Sequence, residues 1–166
     1  MNNKILATAL MAVQLFFSSP AIASNNQQLV GKVTYKYYLF SVYEARLFAP
    51  NKNYTGQAPY SLELEYFREI SSEDLEARTI EGIEDQKIYS KAQIKSWQTQ
   101  LKGLFPTVKD GDTISAKRVA DDKVQIILNG KQIGQLDGKD LCEAFMGIWL
   151  NPKSSNPDFT QALLGK

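Results

Sequence analysis

Residues 60–68 read Tyr60-Ser61-Leu62-Glu63-Leu64-Glu65-Tyr66-Phe67-Arg68. Successive side chains of a strand point to opposite faces, so Tyr60, Leu62, Leu64 and Tyr66 share one face while Ser61, Glu63 and Glu65 share the other. A strand apolar on one side only belongs to a sheet with one covered face and one wet face, the usual condition of an antiparallel sheet. The same alternation puts Arg68 on the face of Leu62, Leu64 and Tyr66, so a cation ends an otherwise apolar row.

The chain on either side extends this pattern. Upstream, Val33, Tyr35, Tyr37 and Leu39 alternate with Thr34, Lys36 and Tyr38, and a second strand over residues 42–49 is stopped by Pro50. Downstream, Ser71-Ser72-Glu73-Asp74 opens a helix, with a serine cap followed by acids suited to the positive helix N-terminus. Its apolar stripe is Leu75, Thr79, Ile80 and Ile83. A second helix is predicted over residues 87–104, where Ile94, Trp97, Leu101 and Leu104 form one face. A meander follows, with strands over 113–119, 123–128 and 132–135 and a tight turn at Asn129-Gly130. Asp140 is placed as the cap of a helix carrying Leu141, Ala144, Phe145, Ile148 and Trp149. Asn156-Pro157-Asp158 opens a last short helix with Phe159 and Leu163 inward. Strands, two helices, strands and two helices give an α+β chain: a large antiparallel sheet with helices packed on one face.

The N-terminus carries an address. Lys4 supplies a positive charge, residues 5–17 are apolar apart from Thr8 and Gln14, and Ala21-Ile22-Ala23 presents small residues to a signal peptidase. That apolar run of 13 residues is short of the ~20 that a membrane-spanning helix needs. Residues 1–23 are therefore read as a cleaved signal peptide and residues 24–166 as one domain, exported to a periplasm and not held in the membrane after cleavage.

Composition removes several chemistries. The 19 basic and 18 acidic residues nearly cancel, and Lys4 is the only charge in the signal, so the domain has no electrostatic pull on nucleic acid or anionic lipid. There is no histidine, which excludes Ser-His and Cys-His nucleophile pairs and the common zinc sites. Cys142 is the only cysteine, so no intramolecular disulfide forms. No cofactor motif and no metal-ligand spacing is present. Oligomeric state is not legible.

Five stretches resemble bacterial chalcone isomerase-like proteins, in family order. They are residues 40–48 (FSVYEARLF), 66–70 (YFREI), 105–112 (FPTVKDGD), 147–150 (GIWL) and the closing Leu163-Leu164-Gly165. The resemblance implies an open-faced β-sandwich, in agreement with the α+β reading. It also implies what is missing. The arginine of plant chalcone isomerases falls near Tyr35 or Lys36, their strand threonine at Tyr43 and their late hydroxyl at Ile148. Tyr89 matches the helix tyrosine, and the asparagine that follows it in those enzymes is absent. An enolate or phenolate needs a positive group placed where charge develops, so the isomerase constellation is not intact.

The candidate ligand residues are Arg68, Tyr43, Tyr89, Tyr35, Tyr66 and Lys36. Arg68 is read two ways, as the anchor of a carboxylate at the mouth of an apolar cleft or as a strand-end cation paired with Glu69, Glu73 or Asp74. The tyrosines either line a cleft or are core residues with hydroxyls reaching the surface. The leading expectation is a protein that binds a hydrophobic small molecule with an acidic head, as the related plant fatty-acid-binding proteins do. One alternative is a proton-transfer isomerase or lyase using tyrosine hydroxyls with Arg68 or Lys36. The other is a non-catalytic interaction module of the cell envelope.

Overall fold

The structure is a computed structural model and describes residues 26–166; the signal-peptide reading of residues 1–23 lies outside the described residues. Six strands form one antiparallel meander in sequence order: β1 (Gln27–Tyr37), β2 (Phe40–Pro50), β3 (Tyr60–Tyr66), β4 (Thr113–Ala120), β5 (Lys123–Leu128) and β6 (Lys131–Asp137). Helices α1 (Ser72–Asp85) and α2 (Lys91–Leu101) fill the connection from β3 to β4, and α3 (Lys139–Leu150) and α4 (Pro157–Leu163) follow β6. This is the α+β layout that the element order predicts and the open-faced sandwich that the resemblance implies.

One sheet face carries the core. Ala45, Leu47, Leu62, Leu64, Ile114, Ala116, Val124, Ile126 and Leu136 are all buried on it at every second position. Helix α3 lies over β5 and β6, α4 lies over β1 and β2, α1 packs on α3, and α2 packs on α1. The opposite face is polar. There Arg46 pairs with Glu44 at 3.3 Å, with Glu65 at 2.7 Å and more loosely with Glu63 at 3.8 Å.

Local chemistry sets the element ends. Ser71 caps α1 by accepting from the Asp74 N–H, and Asn156 caps α4 ahead of Pro157. Asn129 and Gly130, with φ of 49° and 82°, make the tight β5–β6 turn. Two element ends differ from the sequence expectation. Asp140 does not cap α3: Gly138 holds the cap position without a side-chain bond, and Asp140 sits in the first turn. Helix α2 begins at Lys91, because the left-handed Lys87 (φ 54°) breaks the chain after α1 and Ser90 with Gln93 forms a capping box. Tyr89 is thereby in a loop rather than on a helix. Ser90→Ala should cost about 1 kcal/mol of stability, read as a lower denaturant midpoint with an unchanged slope; no loss would mean the box is idle.

Candidate functional site

The inner sheet face has two ends with different contents. At one end Tyr35, Tyr43 and Tyr66 stand side by side across β1, β2 and β3. Tyr35 stacks on Tyr43 at 5.2 Å between ring centroids, Tyr66 meets Tyr43 edge-on at 5.9 Å, and Phe159 of α4 caps both Tyr35 and Tyr43 at 6.1 and 6.3 Å. The Trp149 indole Nε1–H donates to the Tyr43 hydroxyl at 3.1 Å. Burial pushes the phenols of Tyr43 and Tyr66 far above their usual range. These rings fill their space with one another, so this end is packed core.

Arg68 and Lys36 do not join them. Tyr66 is the last paired residue of β3, where Gly111 N–H and the Tyr66 carbonyl close the ladder at 2.8 Å. The chain bends at Phe67-Arg68, and Arg68 is exposed. Its expected place on the apolar face is corrected: alternation holds only while the ladder lasts. Lys36, beside a register shift in the β1–β2 pairing, is exposed as well. Tyr37 and Leu39, expected inward with Tyr35, lie 55% and 93% exposed at the hairpin tip. Tyr43, Tyr89 and Arg68 thus occupy three separate environments.

The other end of the inner face is open. A cleft of about 370 Å³ lies between the sheet end, the loop after α1 and the face of α3, with Tyr54, Tyr60, Ile88, Tyr89, Arg118 and Met146 among its lining residues. That volume is near the low end of the ~300–1,000 Å³ of small-molecule sites.

Arg118 is the chemical centre of this cleft. It follows Ile114 and Ala116 on the inner face of β4, paired with Tyr60 on one side and Val124 on the other, and is only 5% exposed. One guanidinium nitrogen, Nη2, donates to the Asp121 carbonyl at 2.5 Å and lies 3.8 Å from the half-exposed Glu143 carboxylate. Among the described residues its Nε–H is buried without a hydrogen-bond partner. Burial works against the charge, but neighbouring Tyr60 above all, then Cys142 and Glu143, outweigh it and hold the guanidinium above its ordinary pKa. A buried donor of a charged group left unpaired is costly, and native proteins rarely leave one without a use.

Aromatic groups frame the cation. Tyr60 is buried beside it, its phenol raised by burial against the pull of Arg118. Tyr54 packs edge-on against Tyr60 at 4.9 Å, and Tyr89 packs edge-on against Trp97 at 5.1 Å. Of the sequence candidates, only Tyr89 reaches this site. Arg118 and Tyr54 belong to no motif in the sequence, although the alternation of Ile114, Ala116 and Arg118 carries a signal for the arginine. Gln86 braces the wall: its Nε2 donates to the Ala144 carbonyl at 2.8 Å, tying α1 to α3.

Cys142 sits behind Arg118 on α3, fully buried, and burial pushes its thiol up to about 11. A thiol whose pKa is raised on folding favours the native state while neutral. That contribution is present below about 9 and lost as pH rises toward about 11. Native protein should resist a thiol reagent at pH 8 and react fully once unfolded; rapid native labelling would contradict this placement.

Comparison with known proteins agrees with this architecture. The family model described as chalcone isomerase-like matches residues 14–165. An uncharacterized protein of Haemophilus influenzae is 27% identical over 157 residues, covering 94% of this chain and 76% of its own length. A fatty-acid binding protein of Arabidopsis thaliana superposes with a TM-score of 0.62 at 13% identity, over 89% of this chain and 91% of its own. With the family match spanning nearly the whole chain and the sheet-and-helix layout shared with a solved relative, the chain belongs to the chalcone isomerase-like family.

Proposed function

We propose that this chain is an exported binding protein for an amphipathic acid, with the acidic head on Arg118 and the apolar part against Ile88, Tyr89 and Met146. The observation that carries this reading is the unpartnered, buried Nε–H of Arg118 at a cleft lined by aromatic and aliphatic side chains. A carboxylate or enolate can accept from Nε and a terminal nitrogen together, the two-pronged geometry for which arginine is suited. Tyr54, Tyr60 and Tyr89 add hydroxyls around the head. The fatty-acid binding protein that shares the fold supports this ligand class. The volume of the cleft favours a medium-length acyl acid over a long one.

Export rests on the charge, apolar run and small-residue site at residues 4, 5–17 and 21–23. Cell fractionation should place the protein in the periplasm with an N-terminus at Ser24; a protein confined to the cytoplasm and starting at Met1 would sink the export reading. Native mass spectrometry of the recovered protein should show a bound acid that is absent from Arg118→Met. If wild type and variant carry the same adduct, or neither carries one, Arg118 is not the anchor.

Tyr60 beside Arg118 also brings a phenol and a cation together, the pairing a proton-transfer isomerase uses. General acid–base work favours a pKa near the operating pH, and burial moves Tyr60 the other way. Binding is therefore the better reading. Arg118-dependent turnover of a chalcone would reverse that preference.

A further inference from the structure

The cleft around Arg118 holds a second charge, and it has the wrong sign for an acid. Of the residues lining the cleft, Arg118 and Glu143 alone are charged. Arg118 is buried on β4, whereas Glu143 stands half-exposed on α3, four residues after Lys139. The Glu143 carboxylate lies 3.8 Å from Arg118 Nη2 and 4.0 Å from Lys139 Nζ. Both distances are too long for a hydrogen bond. Glu143 is thus the counter-ion of two cations and is bound closely to neither.

The planar guanidinium decides what this means for a ligand. Its Nε–H and Nη2 lie on one edge, and a carboxylate grips such an edge with both oxygens. Nη2 already donates to the Asp121 carbonyl at 2.5 Å and faces Glu143. An acid that accepts from Nε therefore sets its second oxygen against the Glu143 carboxylate. Two carboxylates sharing one site repel, the more so beside a buried group that water screens poorly. With Glu143 in place the lining carries no net charge, so an acid gains little attraction on entry. In the empty cleft the same carboxylate is stabilising, since it offsets a buried cation that would otherwise stand alone.

We propose, resting on Arg118 as the anchor of the acidic head, that Glu143 is a displaceable counter-ion that sets the affinity of the cleft. It neutralises Arg118 at rest and swings to Lys139 when an acid takes the guanidinium. The hand-off needs only a side-chain rotation, because Lys139 lies one helical turn away and its ammonium is already 4.0 Å from the carboxylate. A neutral amphiphile leaves the Arg118–Glu143 pair in place, so Glu143 acts on acids alone. Acid binding is then weaker than Arg118 by itself would make it.

Calorimetry with decanoate and decanol tests this, on delipidated protein expressed from the full sequence. Glu143→Gln keeps the shape of the side chain and removes its charge. It should bind decanoate roughly three- to tenfold more tightly than wild type, and decanol equally. Lys139→Met should weaken decanoate binding in the wild-type background and do far less in Glu143→Gln, where no carboxylate needs the lysine. Unchanged or weaker decanoate binding by Glu143→Gln overturns the proposal. So does an equal gain for decanol, which would mark a change in cleft shape, or a Lys139→Met effect of the same size in both backgrounds. If wild type itself shows no preference for the acid, the Arg118 reading fails and the counter-ion role with it. An acid preference in wild type with no gain in Glu143→Gln leaves Arg118 as the anchor and sinks the counter-ion role alone.

Discussion

Arg118→Met is expected to weaken binding of a medium-chain fatty acid by at least ~30-fold, from the ~2–5 kcal/mol that removing one partner of a buried charge pair costs. The fold should not suffer in parallel. Arg118 is 5% exposed with its Nε unpaired, and Glu143 pairs with it only at 3.8 Å. Replacing an incompletely paired buried charge with a well-packed apolar residue is often neutral or stabilising. The thermal midpoint of the ligand-free variant should therefore match or exceed that of wild type. Opposite signs for affinity and stability are what identify a binding residue; a variant that loses both would mark Arg118 as a structural group.

Gly31→Ala is expected to have the largest effect on stability. A Cβ at Gly31 would lie 2.5 Å from the carbonyl oxygens of Ala162 and Leu163 and 2.8 Å from the Gly165 nitrogen. These are backbone atoms at the end of α4, so no side-chain rotation relieves the clash. Overpacking of this kind costs ~1–3 kcal/mol and sometimes more, and the α4 docking that caps Tyr35 and Tyr43 with Phe159 would be displaced with it. A fall in thermal midpoint of roughly 10 °C is the expected scale. A shift under 2 °C would mean that α4 is not held against β1 as described. Gly165, left-handed with φ of 74° and its Cβ position 2.7 Å from the Val30 carbonyl, belongs to the same contact. The closing Leu163-Leu164-Gly165 is therefore a packing device.

The fold was largely legible because it depends on short-range rules. Alternation in residues 60–66 names the buried face of β3, Ser71 and Asn156 mark helix starts, and Asn129-Gly130 marks a turn. What alternation does not carry is where a ladder stops. Arg68 obeys the pattern in sequence, yet pairing ends at Tyr66 and the chain bends away. Tyr37 and Leu39 miss burial for a related reason, since a register shift and a turn intervene.

The site was legible only in part. Arg118 follows the same period-2 rule as Leu62 and Leu64, but Ala116 is small and Val119-Ala120 places apolar residues past it, so the row stands out less. Tyr89 and Tyr54 meet near Arg118 only through the packing of α1 on α3 and the path of the loop at residues 51–59. No local pattern encodes that meeting. Alternation places Tyr35, Tyr43 and Tyr66 together on neighbouring strands, whereas Tyr37, expected with them, is exposed at the hairpin tip, and no local pattern shows that Phe159 and Trp149 fill the space in front of the row.

The most direct measurement compares two ligands of equal chain length by calorimetry on delipidated protein, decanoate and decanol. An Arg118 anchor predicts that wild type binds the acid at least tenfold more tightly than the alcohol, and that Arg118→Met brings the acid down to the level of the alcohol. Equal affinities in wild type, or an acid preference that survives in Arg118→Met, would contradict the account.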